Sequence, residues 1–385
     1  MSNSQGLKIL LAEDLQNSIC IVVGTRPGII MFSPIIRELE YQGMDYFVLH
    51  TGQHYSYNMD RQFFEDLALK EPDYILGTVQ YCKFHGEQTA EMLKGCESVL
   101  LEKKPKIVLV GGDANTNLAG ALAARKLGVK VGHIEAGERS GDWRMPEEHN
   151  RVMIDHISEY LFTTNEKGKD NLVKDNVQGR IYVTGNPIVD AAKQNHEIAR
   201  NKSTILKEFK LEQDSYYILT LHREENVDSV KNLKDALEGM KLVYQKHKTR
   251  IVFLAHPRTI NRIKYFGLEK YAGNIEGLDI KEAVGYLDFL NLLANARITL
   301  TDSGGVQQES CIFKVPCVTL RESTEWTETI DLNVNILCGT DPGKIVGGVE
   351  KMLQVERSWS SPFGDGKSAA KILDVIKREV LEKSD

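Results

Sequence analysis

The sequence predicts an α/β protein built from two doubly wound halves, each with a parallel sheet. Short, unbroken apolar runs recur with helical stretches between them, which is the pattern of parallel strands covered on both faces. The runs form two series, separated by the polar, lysine-containing stretch Ala191 to Glu212. The length of 385 residues suits two large domains at roughly 150 residues each.

The first series opens with a strand at Ile19–Val23, a helical pattern from Met31 to Tyr41, and a second strand at Tyr46–Leu49. Strands follow at Ile107–Val110, Val129–Ile134, Tyr160–Thr163 and Ile181–Val183. The second series has strands at Tyr217–Leu221, Ile251–Ala255, Ile280–Ala283, Ile298–Thr301 and Cys317–Leu320. The amphipathic stretch Ser368–Glu382 predicts a helix that can pack on either half. These readings divide the chain into domains 1–190 and 191–365.

Composition narrows the function. Apolar residues make up 42% and charged residues 26%, as in an ordinary soluble globular protein, and mean hydropathy is −0.30. Lysine plus arginine number 48 against 54 aspartates and glutamates, a net charge of −6 that argues against a nucleic-acid partner. A local basic pocket for a small anion stays open. No window approaches eighteen uninterrupted apolar residues, so no membrane span is expected. The first eighteen residues lack the basic flank and long apolar core of a secretory leader, which points to the cytoplasm. Six scattered cysteines without a C-x-x-C pair read as buried free thiols, and no metal site is expected.

Five segments can carry chemistry. Gly24-Thr25-Arg26-Pro27-Gly28 follows the first strand, where backbone N–H groups and a guanidinium can both reach phosphate; a plain strand-to-helix turn is the alternative. The segment lacks the glycine spacing of dinucleotide and P-loop sites. Asp113, in Gly111-Gly112-Asp113-Ala114-Asn115, stands at a strand's carboxyl end and faces a ligand crevice or caps a helix. His133-Ile134-Glu135-Ala136-Gly137-Glu138-Arg139 closes another apolar strand, and a carboxylate there, Glu135, needs a partner or a ligand. Just beyond it, Arg144 to Arg151 opens a helix near Pro146, where Glu147 and Glu148 also suit the helix dipole.

In the second series, His222 in Leu221-His222-Arg223-Glu224-Glu225-Asn226 and His256 in His256-Pro257-Arg258 both stand at strand ends. There a histidine can exchange a proton or donate to phosphate, or be merely structural. Thr301-Asp302-Ser303-Gly304-Gly305 leads into a helix carrying Glu309. The small residues let the backbone approach an anion closely, and Glu309 is placed to accept from a ribose.

In order and spacing these segments resemble the UDP-N-acetylglucosamine 2-epimerase family, from about residue 19 to residue 345. The motifs are GTRP, HTGQHY, GGDANTNLAGA, HIEAGERS, MPEEHNR, TGNPIVDA, LHREEN, AHPRT, GYLDFL and DSGGVQQES. The resemblance implies a GT-B-like fold of two Rossmann-like domains, with the active site in the cleft between them and the terminal helix 366–385 completing the first domain. It implies epimerisation at C2 of a UDP-N-acetylhexosamine, with no cofactor and no metal. UDP is eliminated to give a 2-acetamidoglucal and then added back.

The catalytic set it implies is Asp113, Glu135, Glu147 and His222. Arg26, His222 and the Ser303-Gly304-Gly305 turn would meet the diphosphate, Glu309 the ribose and Phe289 the uracil, with His256 also at the substrate. A homodimer is implied as well.

Departures from the family pattern are also visible. Gly28 and Met31 replace an acid and a lysine of the first loop, which removes a phosphate contact, and Trp326 replaces an arginine. Ser56-Tyr57 only partly matches a second, regulatory nucleotide-sugar site. The stretch Gly141 to Met145 resembles relatives acting on diacetamido-glucuronic acid nucleotides. Three other readings compete: a hydrolysing epimerase, a GT-B glycosyltransferase, and a non-catalytic nucleotide-sugar binder. The last would keep Arg26, Ser303 and Glu309 without needing Asp113, Glu135 and Glu147 together. An NAD-dependent epimerase is disfavoured by the missing fingerprint.

Overall fold

The computed structural model describes residues 15–53, 63–77 and 79–382. Residues 1–14 of the leader reading, and Ser56-Tyr57 of the regulatory-site reading, lie outside the described residues. The chain forms two compact units. One runs to Lys193 and resumes at Phe363, and the other is Gln194–Pro362.

The first unit holds β1 (Gln16–Val23), β2 (Tyr46–His50), β3 (Tyr74–Ile75), β4 (Pro105–Gly111), β5 (Lys130–Ala136), β6 (Tyr160–Thr163) and β7 (Arg180–Val183). They pair in the order β3-β2-β1-β4-β5-β6-β7, every neighbour parallel. The second unit holds β8 (Tyr216–Thr220), β9 (Arg250–Ala255), β10 (Leu278–Glu282), β11 (Ile298–Thr301), β12 (Cys317–Thr319) and β13 (Asn335–Leu337). Their order is β10-β9-β8-β11-β12-β13, again all parallel.

Numbered within its own unit, each sheet begins 3-2-1-4, so the strand order reverses between its first and fourth strands. Connections leave in opposite directions there and open a crevice at the carboxyl ends. The turns after β1 and β4 flank that point in the first unit, and the turns after β8 and β11 flank it in the second. All the motifs at these four turns therefore sit where an α/β sheet binds ligands.

The strands form because their residues are apolar on both faces. Ile19 to Val23 are all buried, at roughly 1.5–3 kcal/mol of transfer free energy per large aliphatic side chain. The helices start at recognisable caps. The Thr25 hydroxyl accepts from Gly28 N–H at the head of the Arg26–Gln42 helix, which ends on Gly43 at φ 63°. Asp341 accepts from Lys344 N–H ahead of Pro342–Leu353.

The strands expected from sequence are present, most with ends moved by a residue or two; β10 starts at Leu278 rather than Ile280. Two short edge strands, β3 and β13, were not expected. The polar stretch after the first series is largely the Pro187–Lys202 helix. At the C-terminus the Ser368–Ile376 helix belongs to the first unit and packs on the Arg26–Gln42 helix. It is fastened by Asp190, whose carboxylate accepts from Ser368 N–H at 3.2 Å and Ala369 N–H at 3.1 Å.

All six cysteines are free, and only Cys82 is not buried. Among the described residues no helix is long and apolar enough to cross a membrane, and no group of three or more His, Cys, Asp or Glu side chains is placed to hold a metal ion.

Candidate active site

In the first unit, the turn after β1 is packed so closely that a Cβ on Gly24 would overlap the hydroxyls of Thr51 and Thr116. Arg26 is the exposed first residue of its helix, with its guanidinium 5.8 Å from the centre of the Phe63 ring. Met31 is buried beneath Gly111, where it fills core space.

Next to this turn, β4 ends at Gly111 and passes through Gly112 at φ 78°. Asp113 does not cap the following Asn115–Lys126 helix; Ala114 takes that position, with no side-chain bond. The Asp113 carboxylate is instead ion-paired with Arg151. Burial raises its pKa, Arg151 opposes the rise and Glu147 adds to it, leaving it above the usual value.

Glu135 stands one strand over, where β5 bulges against β6 between Ile134 and Ala136. Its φ is 67°, in the left-handed region that side chains avoid. Its Oε1 accepts from Asn186 Nδ2 at 2.7 Å. Burial pushes the carboxyl up to about 8, with further upward pressure from Glu138 and Asp113 and only partial relief from Asn186 and Arg151. A carboxyl tuned this way both takes and gives a proton near neutral pH.

The Pro146–Ile157 helix supplies the rest, with Pro146 in its first turn. Its two adjacent glutamates have different duties. Glu148 is buried and accepts from Ser140 N–H at 2.9 Å, Ser140 Oγ at 2.8 Å and Gly141 N–H at 3.2 Å, so it anchors the preceding loop. Glu147 is exposed and lines a cavity of about 300 Å³ with Asp113, Thr25, Gln53 and His85. Arg151, one turn further along, bridges Asp113 and Glu148.

In the second unit, the turns after β8 and β11 are tied together by Asp302. Its buried carboxylate accepts from the backbone N–H of His222 (3.1 Å) and Arg223 (3.0 Å) and from Asn226 Nδ2 (3.1 Å). The His222 Nδ1 lies 2.9 Å from Asp302 Oδ1, while the ring remains 42% exposed. Burial would raise Asp302, but His222 and these hydrogen bonds hold it below the usual carboxylate range. The imidazole is thus oriented through one nitrogen, which leaves Nε2 for a ligand.

His256 caps the Pro257–Tyr265 helix, its Nδ1 accepting from Arg258 N–H at 3.2 Å. Its pKa is lowered by burial and then by His222 and Arg258, so it is a neutral cap facing a second histidine. Ser303, Gly304 and Gly305 form the start of the Gly304–Ile312 helix. A Cβ on Gly304 would overlap the carboxylate of Glu325, which is ion-paired with Arg321 at 2.9 Å.

Within the Gly304–Ile312 helix, Glu309 is buried. Burial pushes it up to about 7, and its hydrogen bond from Tyr286 Oη, 2.9 Å, opposes that rise. Phe289, on the Tyr286–Asn295 helix, packs partly buried against an apolar cluster that includes Val306.

The structure therefore groups Asp113, Glu135 and Glu147 within the first unit, and His222, His256 and the Ser303–Gly305 turn within the second. Sequence reasoning missed Arg151, Asn186, Asp302 and Tyr286 as partners. Arg151 had a readable signal, since it follows Glu147 and Glu148 by four and three residues, the spacing that places side chains on one helical face. Asn186 and Tyr286 lie far from their partners in sequence and had none.

A family model described as UDP-N-acetylglucosamine 2-epimerase matches residues 37–377. The chain is 49% identical to a UDP-N-acetylglucosamine 2-epimerase of Methanococcus maripaludis, over 92% of this chain and 97% of that one. It is 36% identical to the UDP-2,3-diacetamido-2,3-dideoxy-D-glucuronate 2-epimerase of Pseudomonas aeruginosa, over 94% and 99% respectively. Its fold matches the crystal structure of Methanocaldococcus jannaschii UDP-GlcNAc 2-epimerase in complex with UDP-GlcNAc and UDP. That match has a TM-score of 0.84 and 48% identity, covering 94% of this chain and 99% of the other.

Proposed function

The chain belongs to the UDP-N-acetylglucosamine 2-epimerase family, and we propose that it interconverts UDP-N-acetylglucosamine and UDP-N-acetylmannosamine by elimination and re-addition of UDP. The C2 proton is not adjacent to a carbonyl, so removing it alone would leave an unstabilised carbanion. Coupling its removal to departure of the C1 oxygen avoids that. The C2–H pair becomes the C1–C2 double bond of 2-acetamidoglucal, and the C1–O pair leaves with UDP. For epimerisation, UDP oxygen then re-forms the bond to C1 while a proton is delivered to the opposite face of C2.

The observation that carries this reading is Glu135, a carboxyl pushed up to about 8 beside Asp113 and Arg151. Opposite-face proton transfers need more than one proton carrier, and Asp113, Glu135 and Glu147 in one unit supply a set. In the second unit, His222, oriented by Asp302, and the N–H groups of the Ser303–Gly305 turn suit the departing diphosphate. His256 joins that binding set, Glu309 suits the ribose and Phe289 the uracil, and in the first unit Arg26 suits a phosphate.

The second unit, Gln194–Pro362, is on this reading the UDP-binding domain, and the working form is a cytoplasmic homodimer. The relatives near half identity are named for UDP-N-acetylglucosamine, which supports that sugar ahead of the diacetamido-glucuronate. Glu135→Gln tests the reading: turnover should fall by roughly 10²-fold or more, while UDP binding, followed by calorimetry, stays at the wild-type value. Equal loss of both would assign Glu135 to structure and overturn it.

A further inference from the structure

We infer that His133, paired with Asp155, is a positioning residue for the two neighbouring carboxylates Asp113 and Glu135, held by hydrogen bonds at both ring nitrogens. The inference rests on the epimerase reading above and adds a residue that never touches substrate.

His133 and Asp155 are both fully buried, on β5 and on the Pro146–Ile157 helix. The His133 Nδ1 lies 2.7 Å from Asp155 Oδ1, and its Nε2 lies 3.1 Å from the carbonyl oxygen of Gly112. Neither partner has a proton to give: the first is a carboxylate, held below its usual range against burial by His133 and Arg139, and the second is a backbone carbonyl. The ring is thus held at both of its nitrogens.

The consequence is mechanical. Through Nε2 the ring holds Gly112, the residue before Asp113, in a turn already closed by Gly112 N–H donating to the Ile134 carbonyl at 3.0 Å. The other oxygen of Asp155 accepts from Gly137 N–H at 3.2 Å and pairs with Arg139 at 2.7 Å. Gly137 lies two residues beyond Glu135, at φ 80°, where a Cβ would overlap the Gly168 carbonyl. One buried pair thus fixes the turn that carries Asp113 and the far side of the bulge that carries Glu135. Arg139 is held in turn by Asp175 at 2.9 Å. Reacting groups tolerate little misplacement, and a shift near 1 Å can cost roughly 10²-fold in rate.

The test is His133→Gln in the full-length protein. The glutamine amide can donate to Gly112 or to Asp155, but not to both in the present arrangement. Melting, UDP binding and the rate of solvent deuterium entry at C2 of UDP-N-acetylglucosamine are measured together. We expect a folded variant that binds UDP as the wild type does, with KM little changed and kcat lower by roughly 10²-fold. Wild-type kcat, or a loss of UDP binding equal to the loss of kcat, would overturn the proposal.

Should the variant fail to fold, nitrogen NMR of the wild-type His133 ring decides. Hydrogen-bonded signals at both ring nitrogens are expected, and a ring bonded at only one nitrogen overturns the proposal. Failure of the epimerase reading itself is distinguishable, because the wild-type protein would then place no deuterium at C2, whatever His133 does.

Discussion

At Glu135 both backbone and side chain are held away from their resting preferences. A non-glycine residue at φ 67° costs about 1–2 kcal/mol, and burying its carboxyl raises the pKa from 4.5 to about 8. The pH dependence follows from that shift. Between those two values the folded protein keeps a proton that the unfolded chain has released. The native state therefore binds more protons, and stability falls as pH rises. The contribution of Glu135 is fully present below 4.5 and is lost as pH passes through about 8.

Glu135→Gln removes this term and leaves the other titrating groups in place. The melting temperature of the variant minus that of the wild type should therefore increase as pH is raised through that window, and a flat difference would contradict the account. That Glu135 needed a partner was legible from its place at the end of an apolar strand. Its left-handed backbone was not, because the bulge depends on pairing with β6, a strand met only after residues 137–159.

At the level of elements, the fastening of the C-terminal helix is open to a direct check. Asp190 accepts from the first N–H groups of the Ser368–Ile376 helix, across 178 residues of sequence. Asp190→Ala should lower stability by roughly 0.5–2 kcal/mol, the usual range for a lost N-cap. In hydrogen exchange the Ser368 and Ala369 amides should lose protection ahead of the sheet; unchanged protection there would rule out the cap. The amphipathic pattern announced this helix but not where it docks, because its partner acid belongs to a distant helix. Strands with five-residue apolar runs, such as Ile19–Val23, were readable for the opposite reason: their burial is written in the side chains themselves. β3 and β13 have two and three residues, too few for any periodicity, and exist because a neighbouring strand offers an edge.

On the scale of the whole molecule, one topology is used twice, and in each unit the chemistry gathers at the turns flanking the reversal of strand order. This is why motifs far apart in sequence come together within each unit: Gly24 with Thr51 and Thr116 in one, and His222 with Asp302, 80 residues on, in the other. The motif order carried the family, whereas the bonds that tune each group come from side chains brought in by packing.

Proton and phosphorus NMR of the protein with UDP-N-acetylglucosamine in deuterated water puts the central claim to its most direct test. The account predicts deuterium at C2, appearance of the manno epimer and an intact diphosphate linkage at equilibrium. Epimer formed without deuterium at C2, or net release of UDP with free sugar, would contradict it.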